Sequence, residues 1–264
     1  MAQWVAAPEV CMTQSPSLIC KGCWQNLRLP VPLRGITSLP FRAFGLRPSR
    51  MNPNTCTFCE LAFTTIMRAR NVDIDASVMF ADLRGYTGLT EALQPEAMSE
   101  LLDVFYDACG DAIWAQDGLL NKTIGDAVMA VFNFPVKHAD HAARAIAAAR
   151  LLQENCRARF ADFARAHGID ERSLGVGIGI DSGMMKFGEF GRSHRDLTAI
   201  GTVVNIAARA QSAAAAGTIL VTQRVYDRTP ALGWNDTGRD HVLKGIEAPV
   251  RLYSASDRLP SRQD

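Results

Sequence analysis

Two aspartates in this sequence are placed where they could bind divalent metal ions. Asp82 ends a short apolar stretch in "FADLRGYT", and Asp126 follows a glycine in "IGDAV". If the two stretches form neighbouring strands, the carboxylates converge at one edge of a sheet, where they repel unless a cation lies between them. Mg²⁺ commonly takes one or two protein carboxylates together with substrate phosphates. The pair therefore indicates two-metal phosphoryl chemistry, whereas a strand-end aspartate taken alone more often caps a turn.

A second candidate group lies in "GTVVNIAARAQ", where Asn205 and Arg209 are four residues apart. On a helix, residues at this spacing share one face. An amide and a planar guanidinium on one stripe suit the edge of a sugar and a phosphate. A polar stripe facing solvent is the simpler alternative. The apolar residues around the pair argue against it, because polar groups in apolar surroundings need partners.

The cysteines form a third candidate group. "CKGC" holds Cys20 and Cys23, "CTFC" holds Cys56 and Cys59, and each unit can offer two thiolates to a tetrahedral metal ion. Without a secretory signal, CxxC units favour metal or redox chemistry over a disulfide framework. We predict a structural Zn²⁺ site on these four residues. An iron–sulfur centre uses the same ligands, and redox-active or incidental cysteines are further alternatives.

The elements that must position these groups follow from the hydrophobic pattern. Apolar runs predict strands at 77–83, 173–181 and 218–222, a hairpin of "GLLNKTI" and "DAVMAVF" that turns at Gly125, and a final strand pair near "HVLKG" and "VRLYS". Helical spacing predicts helices over 95–116, 138–168 and about 203–214. This order predicts an α/β (α+β) protein with a ferredoxin-like βαββαβ core and C-terminal additions. Cys109 and Cys156 fall in the helical patterns and are expected to pack in the core.

The beginning of the chain has a different character. Residues 1–50 hold six of the chain's 12 prolines and sustain no periodicity, which predicts a small irregular segment without a large core of its own. We divide the chain into a Cys-rich leader at 1–60, a connecting helix at 61–75, the main domain at 76–255 and a tail at 256–264.

The overall charge excludes some classes of partner. The 28 Lys and Arg nearly balance the 27 Asp and Glu, so no global field favours nucleic acid or an anionic membrane. No apolar run approaches the ~20 residues that span a bilayer. We expect a soluble, cytoplasmic protein without a nucleic-acid or membrane partner.

Over roughly residues 75–255 the chain resembles the class III nucleotidyl cyclases. The resemblance rests on five motifs in the family's order and spacing: "FADLRGYT", "KTIGDAVMAVF", "VGIGIDSG", "RDLTAIGTVVNIAAR" and "LKG". It implies a homodimer whose two domains meet head to tail and form ATP sites at the shared interface. It also implies two Mg²⁺ or Mn²⁺ ions per site, bound by Asp82, Asp126 and the backbone carbonyl of Leu83.

The same resemblance gives roles to the remaining motif residues. Lys122 and Thr198 match the residues that read the base, Asn205 the one that orients the ribose, and Arg209 the transition-state arginine. Lys244 matches a triphosphate contact, and Gly125 is counted with the substrate-binding residues. An ammonium beside an oxygen acceptor matches N1 and the 6-amino group of adenine, whereas guanine presents the reverse order. A site that makes cyclic GMP would carry an acidic residue in place of Lys122, so we expect an adenylate cyclase.

The resemblance has departures and competitors. Thr202 stands where many members carry Asp or Asn, so the contacts of this loop, including any made by Arg192 or Arg195, stay open. The alternatives to an adenylate cyclase are a guanylate cyclase, a silent nucleotide-binding regulator of the same fold, and a zinc-dependent nucleic-acid binder. Retention of the full set of motif residues argues against a silent copy. We expect the leader to tune activity through the geometry of the dimer.

Overall fold

The apolar stretch that ends in Asp82 lies at the centre of an eight-stranded sheet. A computed structural model describes residues 16–69, 71–86, 88–89, 93–191 and 196–256. Its strands are β1 (Val72–Arg84), β2 (Leu119–Ile124), β3 (Ala127–Phe132), β4 (Gly175–Phe190), β5 (Asp196–Ile200), β6 (Ile219–Thr222), β7 (Arg239–His241) and β8 (Val250–Ser254). The order across the sheet is β2-β3-β1-β4-β6-β8-β7, and β5 pairs with the second half of β4.

The long helices agree with the sequence pattern, and short helices that it did not predict are added to them. They are α1 (Lys21–Leu27), α2 (Leu39–Ala43), α3 (Thr57–Ala69), α4 (Pro95–Ala115), α5 (His141–His167), α6 (Thr202–Ala213) and α7 (Gln223–Arg228). Helix α5 ends at Gly168, whose φ of 65° is the left-handed conformation that suits glycine after a helix. Strands β2-β3-β1-β4 with α4 and α5 form the antiparallel βαββαβ unit. The predicted ferredoxin-like core with C-terminal additions is therefore confirmed.

Both faces of the central sheet are covered, which explains why residues 76–81 of β1 are buried one after another rather than alternately. Met79 and Ala81 face α4 and α5, where Phe105 and Ile146 complete a large core. Alternate residues such as Phe80 face the other side, where α3 and α6 pack. Cys109 and Cys156 are both buried in the first core, as their helical surroundings predicted.

The leader docks on the turn between α4 and β2, which is centred on Asp117. The carboxylate of Asp117 is fully buried and accepts hydrogen bonds from Lys21 at 2.6 and 2.8 Å, Asn54 at 2.8 Å and His138 at 3.0 Å. Burial opposes its ionisation, but the bonds from His138 and Lys21 lower the pKa of Asp117 to about 2. A buried carboxylate thus joins the leader to the main domain.

Helix α3 is part of this packing. Phe63 and Met67 are buried against the sheet, whereas Leu61 and Ile66 of the same helix are exposed. Among the described residues, no helix combines the length and the apolar character needed to cross a membrane.

Candidate functional site

The two aspartates of the metal prediction lie side by side at one edge of the sheet. Asp82 pairs in register with Ala127, the residue after Asp126, and the N–H of Leu83 donates to the Asp126 carbonyl at 3.0 Å. Burial raises the pKa of Asp82, and the negative charge of Asp126 raises it further, while Arg84 opposes both. This half-buried pair of carboxylates carries two negative charges against the one positive charge of Arg84, and a divalent cation would supply the missing charge.

Arg84 is a residue of this site that sequence reasoning missed. Its guanidinium donates to the Asp82 carboxylate at 2.8 Å and to the carbonyl of Gln211 at the end of α6. Arg84 and Asp82 are two residues apart on β1 and therefore share a face of the sheet. That spacing in "DLRG" was the available signal.

The hairpin between β2 and β3 turns on two residues, Gly125 and Asp126. Gly125 has a φ of 59°, a left-handed backbone conformation that glycine adopts without the steric strain that a side chain would add. Its carbonyl accepts a hydrogen bond from the hydroxyl of Tyr106 on α4. The turn is thereby held against the helix, and Asp126 stays next to Asp82.

Lys122 points to β5 rather than to the aspartates. Its ammonium forms an ion pair with Asp196, and the neighbouring Asn121 donates to the Leu197 carbonyl at 2.9 Å. Thr198 lies two residues after Asp196 on the same strand, hence on the same face. The structure therefore places Lys122 against the strand that carries Thr198, in contact with Asp196, a neighbour that the sequence did not indicate.

Asn205 and Arg209 occupy one exposed face of α6. The opposite face of the helix is buried through Val203 and Ala207, so the polar pair has a fixed orientation. Lys244 is exposed in the connection between β7 and β8, directly after Leu243. Because Leu243 packs on Ala210 of α6, the connection that carries Lys244 lies beside the helix that carries Arg209. Arg192 and Arg195 lie outside the described residues.

The four leader cysteines lie together. Their sulfurs are all within 4.8 Å of one another, and three of the Sγ–Sγ separations are 3.3, 3.6 and 3.6 Å. These are far longer than a disulfide bond of about 2.05 Å. Burial raises the pKa of the Cys23 thiol to about 12, whereas hydrogen bonds from Cys20 and Cys59 lower that of Cys56. The cluster could hold one metal ion.

Comparison with known proteins identifies the domain that carries these groups. Residues 69–253 match the family described as the adenylate and guanylate cyclase catalytic domain. The chain belongs to this family. The resemblance inferred from the five motifs is thereby confirmed, and the chain carries a nucleotidyl cyclase domain.

Several of the proteins that this chain is similar to are cyclases. Adenylate cyclase 1 of Rhizobium meliloti is 32% identical over 136 residues, which are 51% of this chain and 20% of that protein. The crystal structure of the adenylyl cyclase CyaB from P. aeruginosa is 30% identical with a TM-score of 0.64, covering 70% of this chain and 95% of that one. The guanylyl cyclase Cya2 is 25% identical with a TM-score of 0.62, covering 70% and 92%. The chain spans less than half the length of the curated relatives it matches, from 6% to 46%.

Proposed function

We propose that this protein is an adenylate cyclase that converts ATP to 3′,5′-cyclic AMP and pyrophosphate. The observation that carries the proposal is the position of Lys122, whose ammonium pairs with Asp196 of β5, two residues before Thr198 on the same strand. A cation next to a hydroxyl oxygen matches N1 and the 6-amino group of adenine. Lys122 disfavours guanine, whose N1–H needs an acceptor where adenine N1 needs a donor.

The catalytic metal ions belong to the edge formed by Asp82 and Asp126, with the carbonyl of Leu83 as a third ligand. These groups would hold two Mg²⁺ or Mn²⁺ ions, which would supply Lewis acidity toward the ribose 3′-hydroxyl and positive charge for the leaving pyrophosphate. The raised pKa of Asp82 supports this assignment, because burial and the charge of Asp126 disfavour its ionisation and Arg84 offsets only part of the paired negative charge.

The side chains of the protein act chiefly by position and charge. Asn205 orients the ribose so that its 3′-oxygen lies in line with the α-phosphorus. Arg209, one helical turn away, meets the charge that grows on the α-phosphoryl oxygens, and Lys244 holds the triphosphate. No side chain has to act as a general base.

The active form is a head-to-tail homodimer in which each site takes Asp82 and Asp126 from one chain and Lys122, Asn205 and Arg209 from the other. Within one chain Lys122 contacts β5, whereas Asp126 contacts β1. The two groups serve different sites in this arrangement. A single chain carries both halves, so two identical copies suffice.

The decisive experiment incubates the purified protein with ATP or GTP, with Mg²⁺ or Mn²⁺, and identifies the product by mass spectrometry. We expect cyclic AMP from ATP and far less cyclic GMP from GTP. Cyclic GMP as the main product would establish a guanylate cyclase instead, and nucleotide binding without turnover would establish a silent regulator.

Arg209→Ala is the matched control for this assay. Loss of one preorganised charge donor lowers kcat by at least ~100-fold with a smaller change in KM. Near-normal turnover in this variant would overturn the role given to Arg209 and would point to a contaminating activity.

A further inference from the structure

The sulfur atoms of the leader cysteines have the spacing of ligands to a single tetrahedral ion. Zinc–thiolate bonds of about 2.3 Å place tetrahedral sulfurs about 3.8 Å apart, and the closest pairs here are 3.3 and 3.6 Å apart. A [4Fe–4S] cluster spreads its thiolates over four irons, so four sulfurs within 4.8 Å fit one ion better.

The backbone around the cluster supports the same ligands. In each CxxC unit the N–H of the second cysteine donates to the sulfur of the first, at 3.3 Å for Cys23 to Cys20 and 3.4 Å for Cys59 to Cys56. The N–H of Cys56 also donates to the sulfur of Cys20 at 3.2 Å. Such bonds orient thiolates and stabilise their negative charge, as outer-shell groups do around metal sites.

The residues next to the cysteines dock the leader on the main domain. Lys21 follows Cys20, Asn54 precedes Cys56 by two residues, and both donate to the buried carboxylate of Asp117. The N–H of Lys21 donates to the Asn54 carbonyl at 2.9 Å, which joins the two CxxC segments directly. A metal ion that holds the cysteines in place therefore also holds the hydrogen bonds to Asp117 in place.

The turn at Asp117 leads into the strand that carries Lys122. Asn52 donates to the carbonyls of Asp117 at 3.0 Å and Gly118 at 3.1 Å, and the N–H of Leu120 donates to Met51 at 3.2 Å. The leader thus holds the start of β2 by its backbone. Lys122 follows two residues later, after a bulge in the pairing with β3.

We propose that Cys20, Cys23, Cys56 and Cys59 bind one Zn²⁺, which clamps the leader on the Asp117 turn and thereby sets the position of Lys122 for the nucleotide. The metal site stands on its own. The effect on the nucleotide rests on the proposed function, so the two are tested by separate measurements.

The metal site is tested by elemental analysis of the full-length protein, without nucleotide. We expect one zinc per chain, a large loss in Cys56→Ser, and no loss in Cys109→Ala, which removes a buried cysteine outside the cluster. If Cys56→Ser does not fold, mercurial titration of the wild-type protein should release one zinc per four thiols modified. Iron in place of zinc, or no metal, would overturn the proposal.

The clamp is tested by amide hydrogen exchange over residues 114–124 before and after zinc is removed with a chelator. We expect faster exchange after removal, whether or not the protein turns over nucleotide. Unchanged exchange would show that the metal does not reach β2.

The effect on the nucleotide is tested with Lys21→Met. This change leaves the thiolates intact and removes the ion pair between Lys21 and Asp117. We expect full zinc content, a KM for ATP raised at least ~5-fold, as is typical of coupled sites, and little change in kcat. Lys186→Met, which breaks an exposed ion pair with Asp73 away from the leader, is the control. A fall in kcat with an unchanged KM would indicate that Lys21 has a merely structural role. Absence of turnover in the wild type would count against the proposed function and leave the metal and exchange results standing.

Discussion

The ion pair between Asp196 and Lys122 allows the proposed role of Lys122 in recognising the base to be tested. The two side chains are 52% and 23% exposed, and an ion pair at such a position contributes about 0.2–1 kcal/mol. Asp196→Asn should therefore free the ammonium and raise the KM for ATP by up to about five-fold, with kcat nearly unchanged, in steady-state kinetics. Asp73→Asn, which breaks a surface pair with Lys186, is the control. A lower KM would mean that Asp196 competes with adenine for the lysine.

At the scale of residues, the sequence predicted the groups that local spacing defines. The two CxxC units and the pair Asn205 and Arg209 were visible because their members lie within four residues of one another. The partners of Lys122 and Asp117 were not visible, because Asp196 is 74 residues from the first and Lys21 is 96 residues from the second. Such contacts depend on the sheet order and the docking of the leader.

At the scale of elements, the long helices were predicted closely because their apolar faces repeat over many turns. The expected helix at 95–116 is Pro95–Ala115 in the structure. The strands were underestimated: β1 starts at Val72 rather than 77, and β4 continues to Phe190 rather than 181. The added residues include charged ones, and their strand conformation comes from pairing between β1 and β4 and between β4 and β5. Pairing partners are a tertiary feature that local pattern does not contain.

A buried network that joins four elements makes a prediction for stability against pH. Arg228 of α7 donates to Nε2 of His141 at 3.0 Å, which leaves the Nδ1–H of this ring to donate to Ser77 of β1 at 2.8 Å, and Ser77 contacts Ser182 of β4. The ring is therefore neutral. Burial lowers the pKa of His141 below 6.5, an effect to which Arg228 adds and which Asp75 and Asp140 oppose.

Because the folded protein holds this proton less tightly than the unfolded chain, the stabilisation is complete above pH 6.5 and is lost as the pH falls through the lowered pKa. The free energy of unfolding should fall by at most about 1.4 kcal/mol per pH unit from this group. Denaturant unfolding between pH 7 and 5 measures it. His141→Gln should flatten the slope, whereas His167→Gln, outside this network, should not flatten it in the same way; equal slopes in all three proteins would contradict the assignment.

At the scale of the whole molecule, the sheet separates two sets of groups, the carboxylates and the base-reading pair, that the proposed cyclase reaction needs at one site. The carboxylates lie at the end of β1 and the β2–β3 turn, and the base-reading pair lies between β2 and β5. Asn205 and Arg209 are exposed on α6, which leaves them accessible to another chain. The proposed head-to-tail dimer would bring the sets together twice, and the leader, held on the Asp117 turn, would support the strand that carries Lys122 in each copy.

This arrangement predicts that two inactive variants restore activity when mixed. Asp82→Asn removes a metal ligand and Arg209→Ala removes the transition-state charge, so each homodimer should be inactive. After random exchange of subunits, half of the dimers contain one of each chain, and one of their two sites is intact, which gives about a quarter of wild-type activity. Cyclic AMP formation after unfolding and refolding the mixture measures this, with each variant treated alone as control. A mixture as inactive as its components would mean that Asp82 and Arg209 serve the same site from one chain.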